Sequence, residues 1–413
     1  MTAGSVFDVV IVGGGPVGAA LGALLMRGPG TGRRRVLLLE REVPDLTQPP
    51  DIADLRVFAL SRASERILRA AGAWEELQSR RNISLNAYER MHVWPRDASP
   101  RGPGSLTFDA AELGEANLGY IVGNDALQRA SLAAFIAAGG EMRALHVEDI
   151  RFAADFAEVR TTAGIYLTQL VVGADGGRSV VRRAAGFEVE AQDYGQVAIV
   201  ANVASVQSHE QTAWQRFLGE GTLALLPLAN GESSIVWSLP RARAEALLAA
   251  EAPAFNEELT AASADVLGAL SLRSERRSFP LRRVSAPRYA QERCALVGDA
   301  AHIVHPLAGQ GVNLGLLDAA ALAEILDAGL AEREDPGALR LLRRYERWRK
   351  SDNETMSGAL DLFNRFLAFG GDGVSAWVER GLGWVGRSAL LRRPFAGRAL
   401  GLAGDLPRIA RRA

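Results

Sequence analysis

A single cysteine, Cys294, in a chain of 413 residues excludes an intrachain disulfide framework, a cysteine-cluster zinc site and an iron–sulfur centre. Lysine is as scarce: every basic residue but Lys350 is arginine, so chemistry that needs a lysine has one candidate. Neither sign of charge is in excess. With 47 basic and 48 acidic residues and a formal net charge of -1, the chain lacks the global positive field that gathers nucleic acid. No uninterrupted apolar run approaches the roughly 18–20 residues of a membrane-spanning helix. The apolar run Val9 to Val12 has no basic segment ahead of it and is broken by Gly13-Gly14-Gly15-Pro16, so no signal peptide is expected. A cytoplasmic protein is expected, free or peripheral on the inner face of the membrane. What remains is ordinary: 48% hydrophobic and 23% charged residues describe a globular chain, and the length suggests two or three domains.

The order of predicted elements sets the architecture. Residues 7–12 read as a strand buried on both faces, 17–27 as a helix rich in alanine and leucine, and 36–39 as a second strand ending at Glu40. This is the βαβ unit of a Rossmann-like dinucleotide fold. Residues 61–78 and 124–140 carry helical periodicity, and 83–118 turn irregular. A β-meander is expected over 144–174, an antiparallel sheet over 195–240 and an alanine-rich helical stretch over 241–270. A further strand, Cys294 to Val297, leads into a glycine-rich segment at 298–315, and beyond 316 the pattern is helical. Nucleotide-type segments therefore recur with sheet-like segments between them. The expectation is an α/β fold whose cofactor domain comprises residues 1–82, 118–187 and 280–350. An inserted α+β substrate domain, mainly antiparallel sheet, comprises 83–117 and 188–279, and a helical C-terminal region comprises 351–413.

Three motifs carry chemistry. In Gly13-x-Gly15-x-x-Gly18, the first glycine permits a tight turn, the second lets the backbone approach a pyrophosphate, and the third lets helix and strand pack closely. The helix start then offers unpaired N–H groups to phosphate, and Glu40 can accept from ribose hydroxyls. An acid there repels a 2′-phosphate, which favours FAD or NAD over NADP. In the second motif, Gly173-Ala174-Asp175-Gly176-Gly177-Arg178-Ser179 followed by Arg182, the plain reading is a turn at Asp175-Gly176 with Ser179 as a helix N-cap. The third runs Gly298-Asp299-Ala300-Ala301-His302, then Pro306 through Gly309, Gln310, Gly311, Val312, Asn313 and Gly315. Asp299 is placed to accept from a sugar-like hydroxyl, and a helix starting near Gly311 would face an electron-rich group. His302 and His305 read as structural, with no acid pairing them into a relay.

GGGPVG with Glu40, GADGGRS with Arg182 and GDAAHIVHPLAGQGVNLGLLD together resemble the aromatic-ring hydroxylase family of flavoprotein monooxygenases. RVFALSRASERIL at 56–68, YIVGNDALQRA at 120–130 and YERWRKSDNETMSGALDLFNRF at 345–366 resemble its ubiquinone-biosynthesis hydroxylase branch, the 2-polyprenylphenol hydroxylase type. The resemblance implies that Gly13, Gly15 and Gly18, with Pro16, Val17, Glu40 and Arg41, hold the ADP half of FAD. It implies that Arg56 and Gln128 meet the flavin or its pyrophosphate, and that Asp175 and Gly176 serve FAD and NAD(P)H. Gly298 and Asp299 would take the ribitol chain, and Pro306, Gly309, Gln310, Gly311, Val312 and Asn313 would line the isoalloxazine ring. No metal is implied, and no side chain is assigned as catalytic. The implied reaction is reduction of FAD by NAD(P)H, addition of O2 at flavin C4a, and oxygen transfer to the ring of a prenylated phenol or quinol. Alternatives on the same fold are another aromatic substrate, a prenyl reductase or dehydrogenase, and a non-catalytic FAD-binding scaffold in a quinone-biosynthesis complex. Residues 381–413 hold seven arginines against one acid, Asp405, interleaved with apolar residues. They would either lie on an anionic membrane surface or pack on the body.

Overall fold

In the computed structural model, which describes residues 6–28, 34–47, 55–79, 85–304, 310–368 and 404–412, the β-branched run Val6–Val12 lies at the centre of a parallel set. Gly164–Gly173 pairs with it on one side and Val36–Glu40 on the other. Cys294–Leu296 and Glu141–Ala144 extend the set outward. Val9, Val10, Ile11, Leu37, Leu38, Val171 and Val172 are fully buried, as unbroken apolar runs require when both faces of a parallel sheet are covered. The first half of Gly164–Gly173 instead pairs antiparallel with Ala157–Thr161, which continues to Val147–Phe152 and forms the expected meander. Helix Pro16–Arg27 packs against helices Asn124–Ala137 and Gln310–Ala331.

A second, nine-stranded sheet runs in the order His302–Ile303, Arg277–Ser285, Glu190–Ser205, Ser233–Pro240, Gly221–Pro227, Thr212–Leu218, Arg90–Pro95 and Leu106–Asp109. Its ninth strand, Leu270–Leu272, pairs with the end of Glu190–Ser205. One face is a core of Trp94, Trp214, Trp237, Ile199 and Ile235, covered by Leu247, Phe255 and Leu259 from helices Arg241–Ala249 and Ala252–Ala262. A third sheet of Val57–Ser61, Gly119–Gly123 and Leu85–Tyr88 gathers Ile121, Tyr88, Ala213 and Leu228 into a small cluster, with Val57, Ala59 and Leu226 packed against it. Among the described residues, no helix is long and apolar enough to cross a membrane.

Three local expectations change. The region 83–118, irregular in sequence with short alternating stretches, contains the short strands Leu85–Tyr88, Arg90–Pro95 and Leu106–Asp109, of four to six residues each. The helical stretch 61–78 divides at Gly72, whose φ of +76° ends Arg62–Ala71 before Ala73–Ser79 begins. The stretch 241–270 divides at the extended residues Ala250 and Glu251, and the second helix opens with Pro253 in its first turn.

This topology makes three strands end together. The Ala174 N–H donates to the Val12 carbonyl at 2.8 Å, and the Val297 N–H donates to the Gly173 carbonyl at 2.9 Å. The turns that begin at Gly13, Ala174 and Gly298 therefore share one edge of the parallel sheet. Gly13 adopts φ +107°, and a Cβ at Gly18 would collide with the Gly13 carbonyl. Gly18→Ala is accordingly expected to destabilise the chain by about 3 kcal/mol, read as a lower urea midpoint of the ligand-free protein.

Candidate active site

The glycine loop is held from two sides. The Gly14 N–H donates to Glu40 Oε2 at 2.6 Å, while Gln128 Nε2 donates to the Gly14 carbonyl at 2.9 Å. Glu40 also accepts from the Arg41 N–H at 2.8 Å. The strand-end acid and a helix residue 114 positions away from Gly14 thus meet at one loop. Gly15 caps helix Pro16–Arg27 without a side-chain partner, and a Cβ there would have no heavy atom within 4 Å. The open space and the free N–H groups of the first turn lie together, an arrangement suited to an anion.

At the second motif, the plain reading holds for Ser179 and Gly176. Ser179 Oγ accepts from the Arg182 N–H at 2.9 Å as N-cap of Val180–Ala184, and Gly176 takes φ +74°. Asp175 Oδ2 accepts from the Val180 N–H at 2.6 Å, while its Oδ1 is buried with no partner among the described residues. Burial pushes this carboxyl above its ordinary range, against the hydrogen bonds from Ser179, Val180 and Val181. Arg182 is more than a helix residue. Its guanidinium donates to the Ala300 carbonyl at 2.8 Å and to the Gly177 carbonyl at 2.7 Å, tying the second turn to the third.

The third turn starts at Gly298, φ +59°, against Val17; a Cβ at Gly315 would lie 2.7 Å from Val17 Cγ2. The start of helix Gln310–Ala331 is thereby packed on the glycine loop's own helix. Asp299 accepts no hydrogen bond among the described residues. Burial pushes its carboxyl up, opposed by the charges of Arg56, His302 and Arg282. A Cβ at Gly311 would stand 4.0 Å from Asp299 Oδ1.

Beneath this turn lies a fully buried carboxylate, Asp318. Its Oδ2 accepts from His302 Nε2 at 2.6 Å and the Gly298 N–H at 3.1 Å, and its Oδ1 accepts from Arg349 Nε at 2.9 Å and Asn353 Nδ2 at 3.1 Å. Burial alone would raise its pKa, but the His302 imidazole and the Arg349 guanidinium hold it at about 2. This corrects the expectation that no acid pairs with His302. Asp318 closes the third motif and Arg349 lies in the segment 345–366, yet neither is assigned a role from sequence; a lone acid inside the apolar run 314–323 is the signal of a buried charge.

Of the residues singled out from sequence, Gly13, Gly15, Gly18, Glu40 and Gln128 gather at the first loop. Arg56, Val17, Gly298, Asp299 and Gly311 gather at the third. Asn313 lies beside them, but its side chain is committed within the protein. It accepts from the Ser61 N–H at 2.9 Å and Ser64 Oγ at 2.6 Å and donates to the Ala59 carbonyl at 2.8 Å. Val312 is buried, Pro16 opens the first helix, and the Arg41 side chain turns to Glu42 at 3.0 Å. Pro306, Gly309 and His305 lie outside the described residues, as does the side chain of Gln310.

Comparison with known proteins follows this geometry. A family model described as FAD binding domain matches residues 6–356. The chain is 34% identical to the 3-demethoxyubiquinol 3-hydroxylase of Escherichia coli over 96% of this chain and 98% of that one. It is 36% identical to the ubiquinone hydroxylase UbiL of Rhodospirillum rubrum, over 99% and 94%. Among solved structures, p-nitrophenol 4-monooxygenase PnpA from Pseudomonas putida shares the fold with a TM-score of 0.74 at 19% identity, covering 95% of this chain and 97% of that one.

Two outcomes test the site. Because the space at Gly15 is open, Gly15→Val should leave the urea midpoint of the ligand-free protein nearly unchanged while abolishing retention of FAD through gel filtration. Because the Asp318 carboxyl is depressed in the folded state, its ionisation stabilises the fold above the unfolded pKa, and that stability disappears as pH falls from about 4 through 2. The wild type should lose on the order of 2 kcal/mol over this window through Asp318. Asp318→Asn should flatten that part of the profile of urea midpoint against pH.

Proposed function

The chain belongs to the FAD binding domain family, and from that premise we propose that it hydroxylates the aromatic ring of a polyprenylated phenol or quinol on the route to ubiquinone. It is an FAD-dependent monooxygenase that takes its electrons from NAD(P)H. The observation that carries the substrate class is end-to-end similarity to two hydroxylases named for ubiquinone chemistry.

The residues present fit FAD. The loop at Gly13–Gly18 leaves open space at Gly15 before a helix start, Glu40 stands at the strand end, and the half-buried Asp299 carboxylate has unused acceptor capacity. In this reading the first turn of Pro16–Arg27 binds the pyrophosphate through its N–H groups. Glu40 orients the adenosine ribose, Gln128 and Arg56 flank the diphosphate and flavin, and Asp299 accepts from the ribitol hydroxyls. Bound FAD supplies the redox chemistry, receiving two electrons from NAD(P)H and activating O2. The N–H groups at the start of Gln310–Ala331 would favour negative charge on a group held in front of them.

The division into a cofactor unit (1–82, 118–187, 280–350), a substrate unit (83–117, 188–279) and a C-terminal region (351–413) belongs to the same proposal. So do contact with an anionic membrane surface and membership of a quinone-biosynthesis complex. For the membrane, the support is the sequence of 381–403, with Arg387, Arg392, Arg393 and Arg398 among apolar residues, a stretch outside the described residues. The described end of the chain favours packing on the body: Ala410 is buried, and Arg408 pairs with Glu324 at 3.2 Å.

Purified protein given NAD(P)H, a prenylphenol and ¹⁸O₂ should yield a ring-hydroxylated product carrying one ¹⁸O atom. Consumption of NAD(P)H with peroxide as the sole oxygen product would overturn the reading.

A further inference from the structure

Helix Leu339–Ala368 contributes no residue to the three turns that meet at the site, yet Arg349, at its middle, is completely buried beneath one of them. Its guanidinium uses all three nitrogens: Nε donates to Asp318 Oδ1 at 2.9 Å, Nη1 to Asp352 Oδ2 at 2.8 Å and Nη2 to Asn353 Oδ1 at 2.7 Å. Asn353 returns a bond from Nδ2 to the same Asp318 oxygen at 3.1 Å. The other Asp318 oxygen holds the Gly298 N–H and His302 Nε2. One carboxylate therefore joins two residues of the C-terminal helix to the two ends of the segment Gly298–His302, with Asp299 between them.

Stability alone is a poor account of this arrangement, because a buried ion pair is often no more stabilising than apolar groups of the same volume. What a guanidinium fork adds is direction. With Arg349 and Asn353 on Oδ1, the Asp318 carboxylate cannot rotate, and its Oδ2 lone pairs stay aimed at the Gly298 N–H. Gly298 needs that constraint: at φ +59° it sits in a region where glycine is free to move, and its psi and phi decide where the next side chain, Asp299, points.

We propose that Arg349 is a positioning residue for the cofactor site: acting through Asp318, it fixes the Gly298–Asp299 turn in the form that binds FAD. The proposal rests on the FAD reading above. Among the described residues Arg349 hydrogen-bonds to neither Asp299 nor the glycine loop, so its polar link to the turn runs through Asp318.

The test measures the FAD dissociation constant by flavin fluorescence quenching and, separately, the melting temperature of the flavin-free protein. Arg349→Met should weaken FAD binding by about tenfold or more and shift the visible absorption band of the bound flavin. Arg349→Lys keeps the charge but replaces the planar fork with a compact ammonium that does not reproduce its spread of donors, so it should lie between Met and wild type. The control is Arg34→Met, which breaks another buried ion pair on the same helix Gln310–Ala331, Arg34 to Asp327 at 2.5 Å, away from the turn. It should lower the flavin-free melting temperature and leave FAD affinity within about twofold. Wild-type affinity in Arg349→Met, or equal weakening by Arg34→Met, would overturn the proposal. Should Arg349→Met fail to fold, wild-type affinity and absorption in Arg349→Lys would do so instead. A wild-type protein that takes up no FAD would be a failure of the FAD reading, and the wild-type measurement distinguishes the two.

Discussion

The buried Asp318 carboxylate is the charge around which the site is assembled. Taking an ion out of water costs several kcal/mol after relaxation, so such a group persists only where every lone pair is used. Here four donors converge on its two oxygens from two stretches of chain: Gly298 and His302 from the third turn, Arg349 and Asn353 from helix Leu339–Ala368. Each donor is one that the fold must deliver. The Gly298 N–H arrives only if strand Cys294–Leu296 pairs with Gly164–Gly173 in register, and Arg349 arrives only if the C-terminal helix crosses beneath that strand. Tyr345, one turn before Arg349, reinforces this crossing by donating its hydroxyl proton to the Leu296 carbonyl at 2.7 Å.

The parallel strands complete the constraint. Strands Val6–Val12, Gly164–Gly173 and Cys294–Leu296 are neighbours and point the same way, so their carboxyl ends open on one crevice, the place where ligands bind in open α/β sheets. Their turns are cross-linked by few groups: Gln128 and Glu40 on the first, Arg182 between the second and third, Asp318 under the third. None of these side chains needs to touch substrate. They set the shape of backbone that does the binding, which is why glycines fill the turns and polar side chains fill the layer behind them.

Much of this was legible in the order of residues, for an identifiable reason. Gly13, Gly15, Gly18 and Glu40 sit within one βαβ unit, so their spacing along the chain is also their spacing in space. Asp299 and Gly311 belong to one turn and its following helix and are readable in the same way. Gln128 was reached only through resemblance, and the bond to Gly14 explains its place there. Asp318 and Arg349 are 31 residues apart, on separate helices, and no local pattern links them. Their pairing is set by helix crossing, a tertiary fact. The same limit explains the short strands between 85 and 109: each depends on partners far along the chain, as Arg90–Pro95 does on Thr212–Leu218. Asn313 shows the converse, a motif residue whose side chain serves the fold.

That dual use determines the position of helix Gln310–Ala331. Asn313 ties its first turn to Val57–Ser61 and to Ser64, while Asp318 ties its third turn to Gly298 and to the C-terminal helix. Five residues at 3.6 per turn place the two about 140° apart around the axis. The helix is thus gripped on two faces within its first nine residues, and Gly315, between them, lies close against Val17. A helix held on a single face can roll about that contact; held on two, with a third element pressed between, its axis is set. The direction of its first N–H groups then follows from packing alone, before any ligand arrives, and a preorganised dipole needs no rearrangement when charge develops in front of it.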